Sequence, residues 1–329
     1  MVQRSIVRPF PIEQHPVSQQ KYIIPTPSLD AFYERIKKCI RLRTPGAIVH
    51  GQPRYGKTYG IRYAMNVLLD DFPNVVMFGF LCHKKASHSE SAFFSNLLEA
   101  AGHASPQTGT IGAKRSRLIQ FLMERVDRSG QNLLIAFADE AQRLDVIEYE
   151  WLRDVHDELE RRGVRMITFL VGQPQLLHQK NAFKASKQTQ IIARFMIDEM
   201  VFRGLTSADD VATCLAGYDE SNYPQDSDWS YTRFFFPQAF DDGFRLVSQA
   251  RAIWNAFTEA HESVRLPFLG EVPMQYFTRT VEIALTEHAS NDSPDFRMSP
   301  EIWMRSVSEA NYIQAEEAMQ LVFAEGEES

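Results

Sequence analysis

Two hydrophobic periods alternate along the first two-thirds of the chain. Leu29–Leu42 repeats apolar residues at helical spacing; Thr44-Pro45-Gly46 breaks the pattern, and Ala47–His50 follows as a short apolar run. A glycine-bearing turn comes next, then a helical pattern from Lys57 to about Asp71 and a run of β-formers at Val75–Cys82. Helical spacing returns near Glu90–Ala101 and Lys114–Arg128, followed by a strand at Leu133–Ala138. A charged helix over about Asp145–Arg162, a strand at Arg165–Gly172, a Pro-started helix near Pro174–Ala182 and a fifth strand within Ile197–Leu205 complete the series. Strands alternating with helices predict an α/β fold with a parallel sheet covered on both faces.

Past Leu205 the alternation stops. Gly217–Phe236 mixes Asp, Ser, Asn and Pro with aromatics and predicts an irregular insert. Helical patterns resume at about Ala239–Ala260, Pro273–His288 and Pro300–Phe323, separated by Arg265–Gly270 and Ala289–Pro294, and Ala324–Ser329 is expected to be a frayed acidic end. The expected organisation is an N-terminal extension over 1–28, a core over 29–205, and a smaller, mainly helical region with an acidic extension over 206–329. A chain of 329 residues suits that division, since one hydrophobic core is ordinarily about 200 residues.

Charge separates the same two regions. Residues 1–205 hold 28 Lys+Arg and 20 Asp+Glu, a net +8, whereas residues 206–329 hold 7 and 22, a net −15. No lysine follows Lys187, so a basic face belongs to the first part, and the acidic part either repels polyanions, meets a basic partner, or is a solvated surface. The apolar runs are too short to span a bilayer and the basic start lacks a following apolar stretch, so the expected location is cytoplasmic, with no membrane partner. Cys39, Cys82 and Cys214 are scattered, without CxxC or metal-ligand spacing, and read as buried thiols.

The chemistry lies at the strand ends. Gly51-Gln52-Pro53-Arg54-Tyr55-Gly56-Lys57-Thr58 fits the Walker A pattern, directly after a strand and opening a helix. Such a loop presents backbone N–H donors to a polyphosphate, with the helix N-terminus behind them; Tyr59 continues that helix. Lys57 is placed for the β- and γ-phosphates and Thr58 for Mg²⁺, giving ATP and Mg²⁺ as the expected cofactors. Asn132–Ala138 is a hydrophobic strand that delivers Asp139 and Glu140: Asp139 for the metal, Glu140 to polarise the attacking water. Those adjacent carboxylates suit hydrolysis better than phosphoryl transfer to a small metabolite. A whole strand and two helices lie between the two elements, which predicts that their strands are not sheet neighbours, as in additional-strand ATPases.

Other residues carry two readings each. Gln173 ends a strand, as a polar sensor of the γ-phosphate or as a turn residue before Pro174. Arg194 precedes the fifth strand, as an arginine finger toward a neighbouring subunit's ATP or as half of a surface ion pair. His83-Lys84-Lys85 and Lys114-Arg115-Ser116-Arg117 are basic clusters suited either to DNA phosphates or to a solvated face, and Lys184 and Lys187 are weaker candidates of the same kind.

Gly51–Thr58, Asp139-Glu140-Ala141-Gln142-Arg143-Leu144 and Val171-Gly172-Gln173-Pro174-Gln175-Leu176 together resemble the TnsC/TniB transposition regulators, and secretion-type AAA+ ATPases share part of the pattern. The likeness spans about residues 20–205. It implies a P-loop AAA+ sheet and an ATPase that assembles as rings or filaments of itself around double-stranded DNA. It further implies partners in a TniQ-type targeting protein and transposase subunits. By the resemblance Arg194 becomes the finger, Gln173 the sensor, Lys84, Lys85, Lys114 and Arg115 the DNA contacts, and Tyr22 and Ile23 the adenine-side wall. The chain departs from the family in its lid: Gly270 is followed by Glu271-Val272-Pro273-Met274 instead of Gly-x-x-Arg, and Arg279 lies further along. The rival expectation is an AAA+ switch acting on protein partners without DNA.

Overall fold

The computed structural model describes residues 7–264 and 270–318. The chain divides into two compact units, one of Ser28–Phe202 and one in which the segment up to Pro27 joins the chain from Arg203 onward. Of the residues expected as an N-terminal extension, the described residues 7–27 group with the C-terminal region.

The first unit runs α1 (Pro27–Leu42), β1 (Gly46–His50), α2 (Lys57–Asp71), β2 (Val76–Leu81), α3 (Glu90–Ala100), α4 (Ile111–Ser129), β3 (Leu133–Asp139), α5 (Val146–Arg161), β4 (Arg165–Gly172), α6 (Gln175–Ala185), α7 (Thr189–Phe195) and β5 (Asp198–Val201). All four pairings are parallel, in the order β2-β3-β4-β1-β5. The strand bearing Asp139 is thus separated from the P-loop strand by β4, as the sequence predicts.

Burial on both faces explains the near-continuous apolar strands: every residue of β1 is buried, as are the last six of β3 and the last seven of β4. Phe32 of α1 sits edge-on to Phe137, Phe169 and Phe202 at 6.2 Å each, and Phe137 stacks on Phe169 at 5.4 Å. Tyr149, His156 and Phe195 pack together elsewhere in this unit, with a ring separation of 5.1 Å between the last two. Local chemistry sets the helix ends. Asp145 and Glu148 form a reciprocal capping box on α5, Thr110 and Ser89 cap α4 and α3, and Gly130 ends α4 at φ 66°. The sequence pattern assigned no helix to 189–195; α7 is only seven residues long and gives little periodicity.

The second unit is mainly helical: α8 (Ala208–Glu220), α9 (Tyr231–Phe235), α10 (Pro237–Asp241), α11 (Ala250–Ser263), α12 (Met274–His288) and α13 (Pro300–Glu309), with residues 312–318 also helical. The expected insert Gly217–Phe236 is helical at both ends, so the irregular part shrinks to 221–230. The helix expected over Ala239–Ala260 is interrupted at Gly243, which takes φ 94°, and that expected over Pro300–Phe323 at Asn311, which takes φ 57°. Arg265–Phe268, Leu269 and the acidic end Ala324–Ser329 lie outside the described residues. The unit's core gathers Tyr218, Phe234, Phe235, Phe257, Phe277, Trp303 and Tyr312, all buried. The three cysteines are free and buried, and no helix among the described residues is long and apolar enough to cross a membrane.

Candidate active site

The loop between β1 and α2 sits between two parallel strands, so its position follows from the sheet. Gly51 N–H donates to Gly172 O at 3.1 Å, tying the loop to the end of β4. A Cβ at Gly51 would lie 2.1 Å from Phe202 O, and Gly56 takes φ 95° immediately before α2. Both positions therefore need glycine, one for close approach and one for a left-handed turn. Arg54, in the same loop, also takes positive φ at 68°. Gln52 and Pro53 are half-buried, Tyr55 is buried, and Thr58 and Tyr59 are exposed.

Lys57 is buried, and its ammonium donates to Gly51 O at 2.8 Å and Gln52 O at 2.7 Å. Burial lowers its pKa to about 8, against the opposing pull of Glu140 and Asp139. Thr58 Oγ1 donates to Asp139 Oδ2 at 2.7 Å, and Glu140 N–H donates to Asp139 Oδ1 at 3.0 Å. Burial raises the Asp139 pKa, while those two hydrogen bonds act in the opposite direction. Two hard oxygen groups side by side, a hydroxyl and a carboxylate, fit Mg²⁺, which keeps several waters and takes few protein ligands. Among the described residues no cluster of three or more His, Cys, Asp or Glu offers a self-contained metal cage. Thr58 and Asp139 would hold the ion together with phosphate oxygens.

Glu140 occupies the left-handed region at φ 55° and ψ 38°, a conformation that costs a non-glycine residue on the order of 1 kcal/mol. Its Oε2 accepts from Gln142 Nε2 at 2.9 Å and from Gln173 Nε2 at 3.5 Å. Gln173 N–H in turn donates to Gln142 Oε1 at 3.0 Å. The structure thus brings Lys57, Thr58, Asp139, Glu140 and Gln173 to the C-terminal edge of the sheet, where loops between parallel strands and helices collect ligands. Gln142 belongs to this group and was given no role from the sequence, although it stands in the Asp139-Glu140-Ala141-Gln142-Arg143-Leu144 segment that carries the resemblance. At the end of β1, His50 Nε2 lies 3.6 Å from Glu199 Oε1, and burial lowers its pKa.

The remaining candidates stand apart from this cluster. Arg194, on α7, pairs with Asp157 at 2.5 Å and Glu160 at 2.8 Å on α5. Lys85 pairs with the buried Glu148, and Arg115 pairs with Asp154 and lies over the Phe94 ring at 5.6 Å. Lys84 is exposed. Lys114 requires a correction: it is buried, and its ammonium donates to Ser91 Oγ at 2.9 Å and Ser95 Oγ at 2.8 Å, joining α4 to α3. A desolvated cation already satisfied by two hydroxyls is not available to a DNA phosphate. In the helical unit, Tyr22 shares a 2.6 Å hydrogen bond with the Tyr218 hydroxyl and donates to Glu282 Oε1 at 3.0 Å, and Ile23 is half-buried. Arg279 lies 3.8 Å from the same Glu282.

Residues 42–179 match the family model described as an AAA domain. Among solved structures, the Aeropyrum pernix ORC2 protein in its ADPNP-ADP complexes superposes with a TM-score of 0.57 at 14% identity, covering 90% of this chain and 72% of that one. Its ADP form gives a TM-score of 0.56 at 14% identity, covering 89% and 72%. No curated protein matches. At such identity the likeness to solved structures is one of fold. Residues 42–179 thus carry the likeness to an AAA domain, and the likeness of the whole chain to these structures is one of fold.

Proposed function

We propose that this protein hydrolyses ATP as a switch, assembling with copies of itself on duplex DNA when ATP is bound and releasing after hydrolysis. The observation that carries the reading is the 2.7 Å contact between Thr58 Oγ1 and Asp139 Oδ2, with Lys57 and Glu140 at the same sheet edge. Lys57 would neutralise the β- and γ-phosphates, and Mg²⁺ held by Thr58 and Asp139 would supply the charge that stabilises the leaving phosphates. Glu140 takes the proton side of the reaction by orienting water toward the γ-phosphate, with Gln173 beside it. Gly51, Gln52, Pro53, Arg54, Tyr55 and Gly56 are the phosphate-binding loop, continued by Tyr59; Tyr22 and Ile23 are proposed for the adenine side. The fold neighbour with bound ADPNP and ADP supports a nucleotide in this fold.

Assembly follows from linkage: a nucleotide contacted by two chains stabilises only the assembled state. Arg194 is proposed as the residue that reaches the neighbouring subunit's ATP. The net +8 of residues 1–205 supports a polyanionic partner, with Lys84, Lys85 and Arg115 as backbone contacts. The resemblance to TnsC/TniB regulators adds the finer reading, a cytoplasmic transposition regulator linking a TniQ-type targeting protein to transposase subunits. A second reading, a switch acting on protein partners alone, is favoured by the internal pairing of Lys85 and Arg115 and the burial of Lys114.

Binding to a labelled random duplex, measured with ATP·Mg²⁺, with ADP and without nucleotide at stepped salt, tests the reading. Binding that requires ATP and weakens steeply with salt is expected. Equal absence of binding in all three states would sink the DNA part and leave the protein-only switch.

A further inference from the structure

Gln142 sits in the 3-10 turn Ala141–Arg143, two residues beyond Glu140, and touches both groups assigned to hydrolysis. Its Nε2 donates to Glu140 Oε2 at 2.9 Å and its Oε1 accepts from the Gln173 backbone N–H at 3.0 Å. A carboxylate only accepts and a backbone N–H only donates, so the two partners admit one orientation of the amide. The residue is itself held from behind. Gln179 Nε2 donates to Gln142 O at 2.8 Å and to Leu144 O at 2.9 Å, and Gln179 Oε1 accepts from the Tyr149 hydroxyl at 3.3 Å. On its other side the missing side chain of Gly172 makes the room: a Cβ there would lie 2.2 Å from Gln142 Oε1. The same Glu140 oxygen lies 3.4 Å from the Arg143 guanidinium, an ion pair on the solvent side of the turn's half-exposed arginine.

We infer, building on the reading of Glu140 as the group that polarises the attacking water, that Gln142 is the positioning residue of the hydrolytic centre. It fixes the direction of the Glu140 carboxylate and couples it to the backbone of Gln173, so that the two move as a unit. Glu140 has a left-handed backbone, and what its carboxylate bonds to therefore decides where it points. Hydrolysis is sensitive to such aim, because misplacing a reacting group by about 1 Å costs on the order of a hundredfold in rate. Nucleotide binding, carried by the loop and Lys57, does not need Gln142. The predicted signature is a loss in kcat with KM for ATP preserved.

Two variants of the full chain separate positioning from packing. Gln142→Glu keeps length and acceptor oxygens but replaces the donor with a carboxylate facing Glu140; Gln142→Met keeps bulk and removes both hydrogen bonds. Phosphate release at saturating ATP·Mg²⁺ should fall at least about tenfold in both, with KM and the affinity for a fluorescent ATP analogue within about twofold of the parent. Gly172→Ala, which crowds Gln142 from its other side without altering it, should lower kcat in the same way and serves if the Gln142 variants fold poorly. Wild-type kcat in both Gln142 variants beside an inactive Glu140→Gln would overturn the positioning role and leave the Glu140 assignment intact. A lowered melting temperature with unchanged kcat would overturn it too, by assigning Gln142 to packing. Wild-type turnover by Glu140→Gln would instead remove the underlying reading, and the positioning role with it.

Discussion

The Thr58 hydroxyl donates to Asp139 across 2.7 Å, although 81 residues separate them in the chain. One residue opens α2 and the other ends β3, and the sheet order, with β4 between β3 and β1, sets their distance. If this pair holds Mg²⁺, Thr58→Ala and Asp139→Asn should each weaken ATP affinity by about tenfold or more in Mg²⁺. In excess chelator the variants and the parent should bind ATP alike. Equal losses with and without Mg²⁺ would remove the metal assignment.

Lys57 presents a case in which function opposes stability. Its pKa in the fold is about 8, lowered by burial from 10.5. Between those values the unfolded chain binds more protons than the folded one, so this group makes stability rise with pH from about 8 to 10.5 and exacts its full cost below 8. Lys57→Met should therefore abolish ATP binding yet raise the denaturation midpoint of the nucleotide-free protein at pH 7. That gain should vanish near pH 10.5. A variant less stable than the parent at pH 7 would contradict the burial cost.

Glu140→Gln is isosteric and should keep ATP affinity while slowing hydrolysis by about a hundredfold or more. The ATP-bound assembly should then persist, which size measurements with ATP, after a chase with ADP, would detect. Dissociation of the variant at the parent's rate would show that hydrolysis does not drive release.

Arg194 has a competing partner set within its own chain, Asp157 and Glu160. A finger that acts across subunits predicts complementation: Arg194→Ala and Glu140→Gln are each slow, and mixing them restores part of the rate. The mixture contains interfaces with an intact Glu140 on one side and an intact Arg194 on the other. Absence of restoration, with Arg194→Ala less stable than the parent, would leave Arg194 as an ion-pair residue.

Buried imidazoles predict the acid limit. His156 has Nε2 2.7 Å from Thr168 Oγ1, and burial, followed by the nearby Arg194 charge, lowers its pKa to about 3 from 6.5. His15, in the helical unit, is lowered by burial to about 4. Both are neutral in the fold, so the unfolded chain binds more protons below pH 6.5 and stability falls as pH drops from 6.5 toward 3 to 4. Urea unfolding of His156→Leu over pH 4 to 7 should show a slope shallower by up to about 1.4 kcal/mol per pH unit. An unchanged slope would mean that His156 is not the group responsible.

Local patterning determined most of what the sequence by itself established. The strand–loop–helix around Gly51–Thr58, the apolar run ending in Asp139-Glu140 and the parallel alternation are consecutive along the chain, so periodicity and turn chemistry specify them without knowledge of distant contacts. The expected separation of β1 from β3 in the sheet is present, but β4, which follows both motifs in the chain, makes it, and β2, which lies between them in sequence, takes the sheet edge. Where glycine or asparagine takes positive φ, as at Gly243 and Asn311, long helical patterns broke, because apolar spacing does not reveal a turn that one residue makes.

Tertiary structure alone decided which partners meet. Lys114 reads as a helix-surface cation until α3 brings Ser91 and Ser95 over it; Arg115 and Lys85 find carboxylates on α5, 39 and 63 residues away. Gln142 becomes more than a turn residue only when β4 delivers the Gln173 N–H and the space beside Gly172. The physical reason is the same in each case. Periodicity encodes which face of an element is buried, whereas a hydrogen bond or ion pair needs two groups within about 3 Å, and strand order and helix packing bring groups from distant parts of the chain to that distance.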